Sequence, residues 1–404
     1  MEDVDAAPAP VRPASRRRWA ILAIGVASQA ATSAFIYGLP FLVPNIRAAE
    51  HLSLAAVGVV VAAPTIGLML TLIGWGAVAD RFGERLAITV GLAGCGACAL
   101  LAILVAHGMV AFVLLIGLAG AFGSSVNVAS GRAVMGWFAV RERGLAMSVR
   151  QMAQPLGVAL SAFSLPLLAR GMSFRDALLL PAALCLACAV IGVLFLVDPP
   201  RPPVRPGVRT RSPYRTPVLW RLHSASAMLV VPQSTVAVFG LEYLVSRQDW
   251  AAATAGAFMA AIQLAGAFGR LGSGYWSDRV GSRLRPMRQL AVASAGVLLL
   301  AALGDATWAW LVVFALAVGA VITVADNGLG YTATAEFAGS VWAGRALGTQ
   351  NTAQNIIASL TPPVLGLLIG AHGYATAFAC AAICPLLAIV LTPVRAETGI
   401  REWT

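Results

Sequence analysis

Residues 76–85 read GAVADRFGER, and residues 274–283 read GYWSDRVGSR. Both fit G-x-x-x-D-R-x-G-x-R, at an offset of 198 residues. A second correspondence follows at an offset of 200. Asn127 aligns with Asn327, and GLAMSVRQMAQ (144–154) with GRALGTQNTAQ (344–354). Ala146, Ala153 and Gln154 recur there as Ala346, Ala353 and Gln354. Two elements in one order at nearly one spacing imply duplication of a unit about half the chain long.

Composition says what that unit is made of. Of 404 residues, 59% are hydrophobic and 11% charged, and the mean hydropathy is +0.81. A soluble domain carries roughly 45–50% apolar and about 25% charged residues. The excess excludes one large water-soluble core and points to a chain that crosses a membrane many times. The 40 Gly and 22 Pro agree, since both are commoner in membrane helices than in soluble ones. A span needs about 20 apolar residues. Twelve stretches qualify: 19–44, 54–79, 86–106, 110–138, 144–169, 175–197, 218–246, 250–276, 287–304, 307–336, 343–370 and 373–393. The Pro/Arg-rich stretch 198–217 cannot form a helix and divides them six and six. The expectation is an all-α integral membrane protein of two pseudo-symmetric six-helix bundles. Its parts are a disordered tail (1–18), a bundle (19–197), a linker (198–217), a bundle (218–393) and a tail (394–404). The apolar run after Arg16–Arg18 is too long for a signal peptide. Six is even, so the repeats run parallel, related by an axis along the membrane normal.

Charge sets the orientation. All 28 basic residues are Arg. With the N-terminus inside, 21 fall on cytoplasmic segments and four, Arg47, Arg170, Arg175 and Arg247, on external loops. The other three, Arg132, Arg150 and Arg270, lie within spans. Such a bias places both termini on the cytoplasmic side, and a bacterial plasma membrane is the expected location. It makes the high pI a matter of topology and anionic-lipid attraction, not of nucleic acid. The six Cys all lie in apolar stretches and read as small buried hydrophobes. The four His are scattered, and no metal-ligand spacing, phosphate-cradling loop or activated nucleophile is present. No enzyme activity, cofactor or metal is expected. Without a nucleotide-binding domain, energy comes from an ion or substrate gradient.

The duplicated element reads physically. Gly83 and Gly281 permit a turn that a side chain would strain. Gly76 and Gly274 let another backbone come close. Asp80 and Asp278 end their helices beside Arg81, Arg85, Arg279 and Arg283, a candidate gate. Ionisable groups inside spans are functional candidates. Arg132 and Arg150 lie ~10 Å from the cytoplasmic end, and Asp326 lies ~15 Å in. Arg270 is expected to pair locally with acidic groups. A buried carboxylate without a partner disfavours its charged form, which makes Asp326 a proton-coupling candidate. Glu242 is a second, nearer the external end. Gln29, Ser33 and Tyr37, at i, i+4 and i+8, stripe one helix face. Asn127, Asn327 and Tyr331 add polar groups in the fourth and tenth spans. Asn127 and Arg132 stand about 140° apart around their helix and cannot both point at one centre. Gln151, Gln154, Gln350, Asn351, Gln354 and Asn355 are too many amides for lipid, and should face the interface or a wet cavity.

The signature, its repetition and the six-plus-six topology resemble the major facilitator superfamily. The resemblance implies that spans 1, 4, 7 and 10 line a cavity and that spans 3, 6, 9 and 12 are scaffold. It also implies that span 2 meets 11 and span 8 meets 5 across the halves. There each signature carboxylate faces the positive end of an opposing helix and closes the inner side. Glu142–Gly144, Ala146, Met147, Pro155–Gly157, Asn327, Glu336 and Thr361–Pro363 resemble bacterial members of the small-anion, cyanate-permease type. The paired glycines of the family's antiporter signature are missing around Gln154–Gly157.

The function expected is secondary active transport of a small solute, an organic anion, by alternating access, with a proton as coupling ion. Substrate contacts are expected from Gln29, Ser33, Tyr37, Asn127, Arg132, Arg150, Asn327, Tyr331 and Gln354. One chain holds a whole path, so a monomer suffices, with lipid around it. Proton-coupled efflux of drugs is the alternative within the fold. A sensor that binds without transporting is the alternative from another class.

Overall fold

The computed structural model describes residues 15–199 and 212–397. Residues 1–14, 200–211 and 398–404, which hold most of the expected tails and linker, lie outside the described residues. Within them all regular structure is helical. The order is α1 (Ser15–Ile36), α2 (Val43–Glu50), α3 (Leu54–Phe82), α4 (Glu84–Leu104), α5 (Gly108–Trp137), α6 (Arg143–Gln151), α7 (Ala153–Leu168), α8 (Phe174–Ala177) and α9 (Leu179–Phe195). After the linker come α10 (Pro217–Ser246), α11 (Ala252–Val280), α12 (Leu284–Ala306), α13 (Trp310–Ala325) and α14 (Asn327–Leu391). Left-handed Gly339 (φ 71°) and Gly373 (φ 82°) turn α14 into three arms, 327–338, 340–372 and 374–391.

Among the described residues, eight segments are long and apolar enough to cross a membrane, where the sequence predicts twelve spans. The difference has local causes. The fifth span breaks at Met152 into α6 and α7, because Pro155 has no N–H for the helical ladder. Spans ten to twelve form one apolar segment, Trp310–Glu397. Helix α11, interrupted by Gln263, Arg270 and Ser273, is not among the eight. The first helix starts at Ser15, ahead of the expected Trp19. Arg18 is held there by both carboxylate oxygens of Glu142, at 2.6 and 2.9 Å.

One hydrophobic cluster runs from Ile21 to Leu196 and borrows only Tyr331, Ala335, Ala343 and Leu347 from α14. Two others draw on residues between Leu219 and Ala388. The outer surface is apolar too: Leu70, Phe163 and Val390 are 80%, 77% and 73% exposed. In water such a surface would aggregate; against lipid it is the required face. Cys95, Cys98, Cys185 and Cys188 are buried and Cys380 and Cys384 half-buried, all as free thiols. No group of metal-ligating side chains occurs among the described residues.

Candidate substrate site and gate

The signature turns build two matching junctions. Gly83 has φ 105° and Gly281 φ 63°, so both turns use the freedom only glycine has. Each turn stops a helix and leaves its aspartate beside another helix. Asp80 Oδ1 accepts from the backbone N–H of Gly344 at 2.8 Å, and Oδ2 accepts from that of Arg345 at 3.1 Å. Asp278 Oδ1 accepts from Gly144 N–H at 3.0 Å, and Oδ2 accepts from Leu145 N–H at 2.8 Å. The partners Gly144 and Gly344 are themselves a repeat pair. The helices touch through glycine. A Cβ on Gly76 would lie 2.5 Å from Gly344 O, and one on Gly274 would lie 2.5 Å from Gly144 O. Real Cβ atoms do not come that close. A buried carboxylate on N–H groups near a helix start gains both charge-assisted hydrogen bonds and the helix dipole.

The arginines divide differently. Arg283 donates to Asp278 at 2.5 Å and lies 3.5 Å from Glu336. Its repeat mate Arg85 instead donates to Val193 O at 2.6 Å. In the first junction Arg132 does this work. It donates to Asp80 at 3.1 Å, to Glu84, and across the junction to Ser340 O at 3.0 Å. Arg345 adds a further bond to Asp80 at 3.1 Å. Arg132 is thus engaged with the signature-end carboxylates, away from the Gln29–Asn127 pair. Its helix angle from Asn127 already separated the two. Arg81 and Arg279 are exposed and lie over the rings of Phe82 and Tyr275.

A third matched pair, Asp198 and Glu397, was not among the sequence candidates. Asp198 Oδ1 accepts from Arg85 N–H at 2.8 Å, capping α4. Glu397 accepts from Arg283 N–H, from Leu284 N–H at 3.3 Å and from Ser282 Oγ at 2.5 Å, capping α12. An acidic residue just past the sixth and twelfth apolar runs, 199 positions apart, was the available signal.

Deeper in, polar side chains meet from several helices. Gln29 Nε2 on α1 donates to Asn127 Oδ1 on α5 at 2.8 Å. Asn327 Nδ2 on α14 donates to Gln233 Oε1 on α10 at 3.1 Å. These are again repeat mates: Gln233 and Phe239 match Gln29 and Phe35 at an offset of 204. Gln233, like Asp198 and Glu397, was not among the candidates read from the sequence. Arg150, 1% exposed, enters this layer from α6. It donates to Gln29 Oε1 at 2.7 Å, Asn127 O at 3.2 Å, Ser130 Oγ at 3.3 Å and Gln151 Oε1. Its guanidinium lies 5.3 Å from the centre of the Tyr331 ring. Tyr331 OH in turn donates to Gln354 Oε1 at 2.7 Å. Every acceptor of Arg150 is neutral. No carboxylate pairs with it among the described residues.

The remaining candidates fall around this layer. Ser33 is buried against Gly157 on α7, and Tyr37 is half-buried. Asp326 occupies the break between α13 and α14 and is 3% exposed. Arg270 of α11 lies within electrostatic reach of it. Ser273, one turn on, joins the same two helices by donating to Ala325 O at 2.6 Å. Glu242 is exposed on α10, and no ion pair is formed by it among the described residues. Half-buried Asn127, Gln151, Gln233, Arg270, Asn351 and Asn355 put polar groups of both halves in this region. Hydrogen bonds join 15–199 to 212–397 at the signature end and, in this region, from Arg270 to Gln151 O.

Known proteins place the chain. The Major Facilitator Superfamily model matches residues 21–362. Two uncharacterised MFS-type transporters, from two strains of Mycobacterium tuberculosis, are 42% and 41% identical over 382 residues. Each match covers 94% of this chain and 85% of the relative. The human organic anion transporter MFSD10 (TETRAN) superposes with TM-score 0.71 at 16% identity, covering 95% of this chain and 100% of that one. The transporter FucP, in its outward conformation, gives 0.72 at 16% identity, covering 95% and 99%. At that identity both likenesses concern the fold alone. The chain belongs to the Major Facilitator Superfamily and is a membrane transporter of a solute.

Proposed function

We propose that the protein is a secondary carrier of a small organic anion, built of two six-helix bundles that rock about the Arg150 layer. The observation that carries this reading is the charge inventory of the interior. Arg132 pairs with Asp80 and Glu84, Arg283 pairs with Asp278 and Glu336, and half-buried Arg270 lies within electrostatic reach of Asp326. Arg150 has amides, a hydroxyl and an aromatic face. Burying a cation without a counter-charge costs several kcal/mol. A carboxylate arriving from solution supplies that charge, and the neutral acceptors yield to it. One unmatched guanidinium suits one negative charge. An amine would set a second cation beside the first, which disfavours the drug-efflux alternative.

The latched signature end with a polar layer beyond it supports an outward-facing state. On the Arg distribution, the latch lies on the cytoplasmic side, with both termini. Asp326 is the proton-carrying group of this scheme. The test is thermal stabilisation of purified protein by benzoate, phthalate, benzamide and benzylamine. Benzoate is expected to raise the melting temperature most, and Arg150→Gln to remove the effect. Greater stabilisation by benzylamine would overturn the anion reading.

A further inference from the structure

We infer that a hollow on the lipid-facing flank of the second bundle binds the headgroup phosphate of an anionic phospholipid, held by Arg221, Arg288 and Arg395. The inference is independent of the carried solute and of the Arg150 layer. The hollow measures about 600 Å³ and opens where three elements meet: the start of α10, the start of α12, and the end of α14 with the turn after it. Helix α12 begins directly after the signature turn, so this is the signature side of the bundle. Each element supplies one exposed arginine. Among the described residues, no carboxylate lines the hollow. Glu397, two positions past Arg395, is engaged with Ser282 Oγ and the N–H groups of Arg283 and Leu284.

The arginines are placed to take an anion. Arg221 donates to Val390 O at 2.8 Å and to Leu391 O at 3.2 Å, the last carbonyls of α14, and part of its fork stays open. Arg288 forms no hydrogen bond or ion pair among the described residues. Each is the fifth residue of its helix, and side chains lean toward a helix start. A cation there opposes the helix dipole. A phosphate relieves that opposition, and guanidinium groups bind its oxygens in bidentate pairs. Two features make the bearer a lipid and not free phosphate. Trp220, exposed beside Arg221, is of the residue type that sits at headgroup level. Exposed apolar stripes also run inward from the arginines. On α14 they are Val390, Leu387 and Ile383, and on α12 Val292, Leu299 and Leu303. Steps of three, four and seven keep to one helix face, a track for an acyl chain. Arginines that only set topology need no such grouping. In the first bundle, Val90 and Leu196 stand where Arg288 and Arg395 stand in the second, so the hollow is charged once. A seated headgroup joins Arg288, just past the signature turn, to Arg395, just before the Glu397 cap, and braces the two segments that the cap connects.

The experiment is native mass spectrometry of the purified full chain in detergent, titrated with dioleoylphosphatidylglycerol, cardiolipin or dioleoylphosphatidylcholine, with inorganic phosphate as competitor. Saturable binding of the two anionic lipids over phosphatidylcholine is expected, undisturbed by phosphate. Arg288→Gln combined with Arg395→Gln is expected to weaken it about 30-fold, the effect of two arginines at a membrane surface. Arg16→Gln combined with Arg17→Gln removes the same charge from the start of the first bundle and is expected to leave binding at the wild-type level. Val394→Glu sets a carboxylate in the hollow and is expected to abolish binding, with the lipid-free melting temperature unchanged, which separates the effect from misfolding. Equal weakening by the two double variants would reduce the effect to overall charge and overturn the inference. Anionic-lipid binding that survives Val394→Glu would overturn it too. Displacement of the lipid by inorganic phosphate would give the hollow to a soluble anion, and would likewise contradict it.

Discussion

The signature end and the polar layer differ in how they treat the duplication. At the signature end the two halves do the same thing twice. Asp80 and Asp278 each take two N–H groups, Gly76 and Gly274 each touch a partner glycine, and Asp198 and Glu397 each cap the next helix. In the layer beyond, only the amide pairs Gln29–Asn127 and Gln233–Asn327 repeat. Arg150 aligns with Gln350, Tyr331 with Gly131, and Asp326 with Val126. The contacts that join the halves at the signature end are alike in both. The residues proposed to meet a solute and a coupling ion differ between the halves.

Substitutions can break that division, and their effects should rank by it. Arg150→Gln should be the most damaging to function. Losing the buried charge partner costs about 2–5 kcal/mol, read as a loss of carboxylate binding of about 100-fold with normal membrane insertion. Arg150→Lys should rescue it only in part. Next come the latches. Asp80→Asn and Asp278→Asn should each slow transport about tenfold in a vesicle flux assay at equal surface level. Equal losses would confirm that the halves share the work. Undiminished flux in either would remove that latch from the mechanism. Third, Gly144→Ala and Gly344→Ala push a Cβ to 2.7 and 2.4 Å from a backbone oxygen. Overpacking of this kind costs about 1–3 kcal/mol and should raise accessibility at the signature end, measured by hydrogen–deuterium exchange. The smallest effect should come from Asp198→Ala, which removes one helix cap worth about 0.5–2 kcal/mol and is read as a lowered melting temperature.

The sequence disclosed the symmetric part more readily than the asymmetric one. Gly83, Gly281 and the two aspartates were readable because a backbone constraint fixes residue types at fixed spacing. The cap pair Asp198 and Glu397 escaped because each lies in a segment that composition assigns to linker or tail. Gln233 escaped because its match to Gln29 falls at an offset of 204, out of step with the 198 and 200 of the stronger elements. Arg132 and Arg150 could not be told apart by depth. The difference is angular: one turns toward Asp80 and Glu84, the other toward Gln29 and Tyr331. The break at Met152 was foreshadowed by Pro155, but the Gln151 carbonyl accepts from Arg270, a residue 119 positions away. Distances along the chain say nothing about such pairs.

The most direct measurement is gradient-driven accumulation of radiolabelled benzoate in proteoliposomes, for the wild type and for Arg150→Gln. The account predicts uptake against a concentration gradient by the wild type when a proton gradient is imposed, and none by the variant. Saturable benzoate binding without accumulation, or equal uptake by the two proteins, would contradict it.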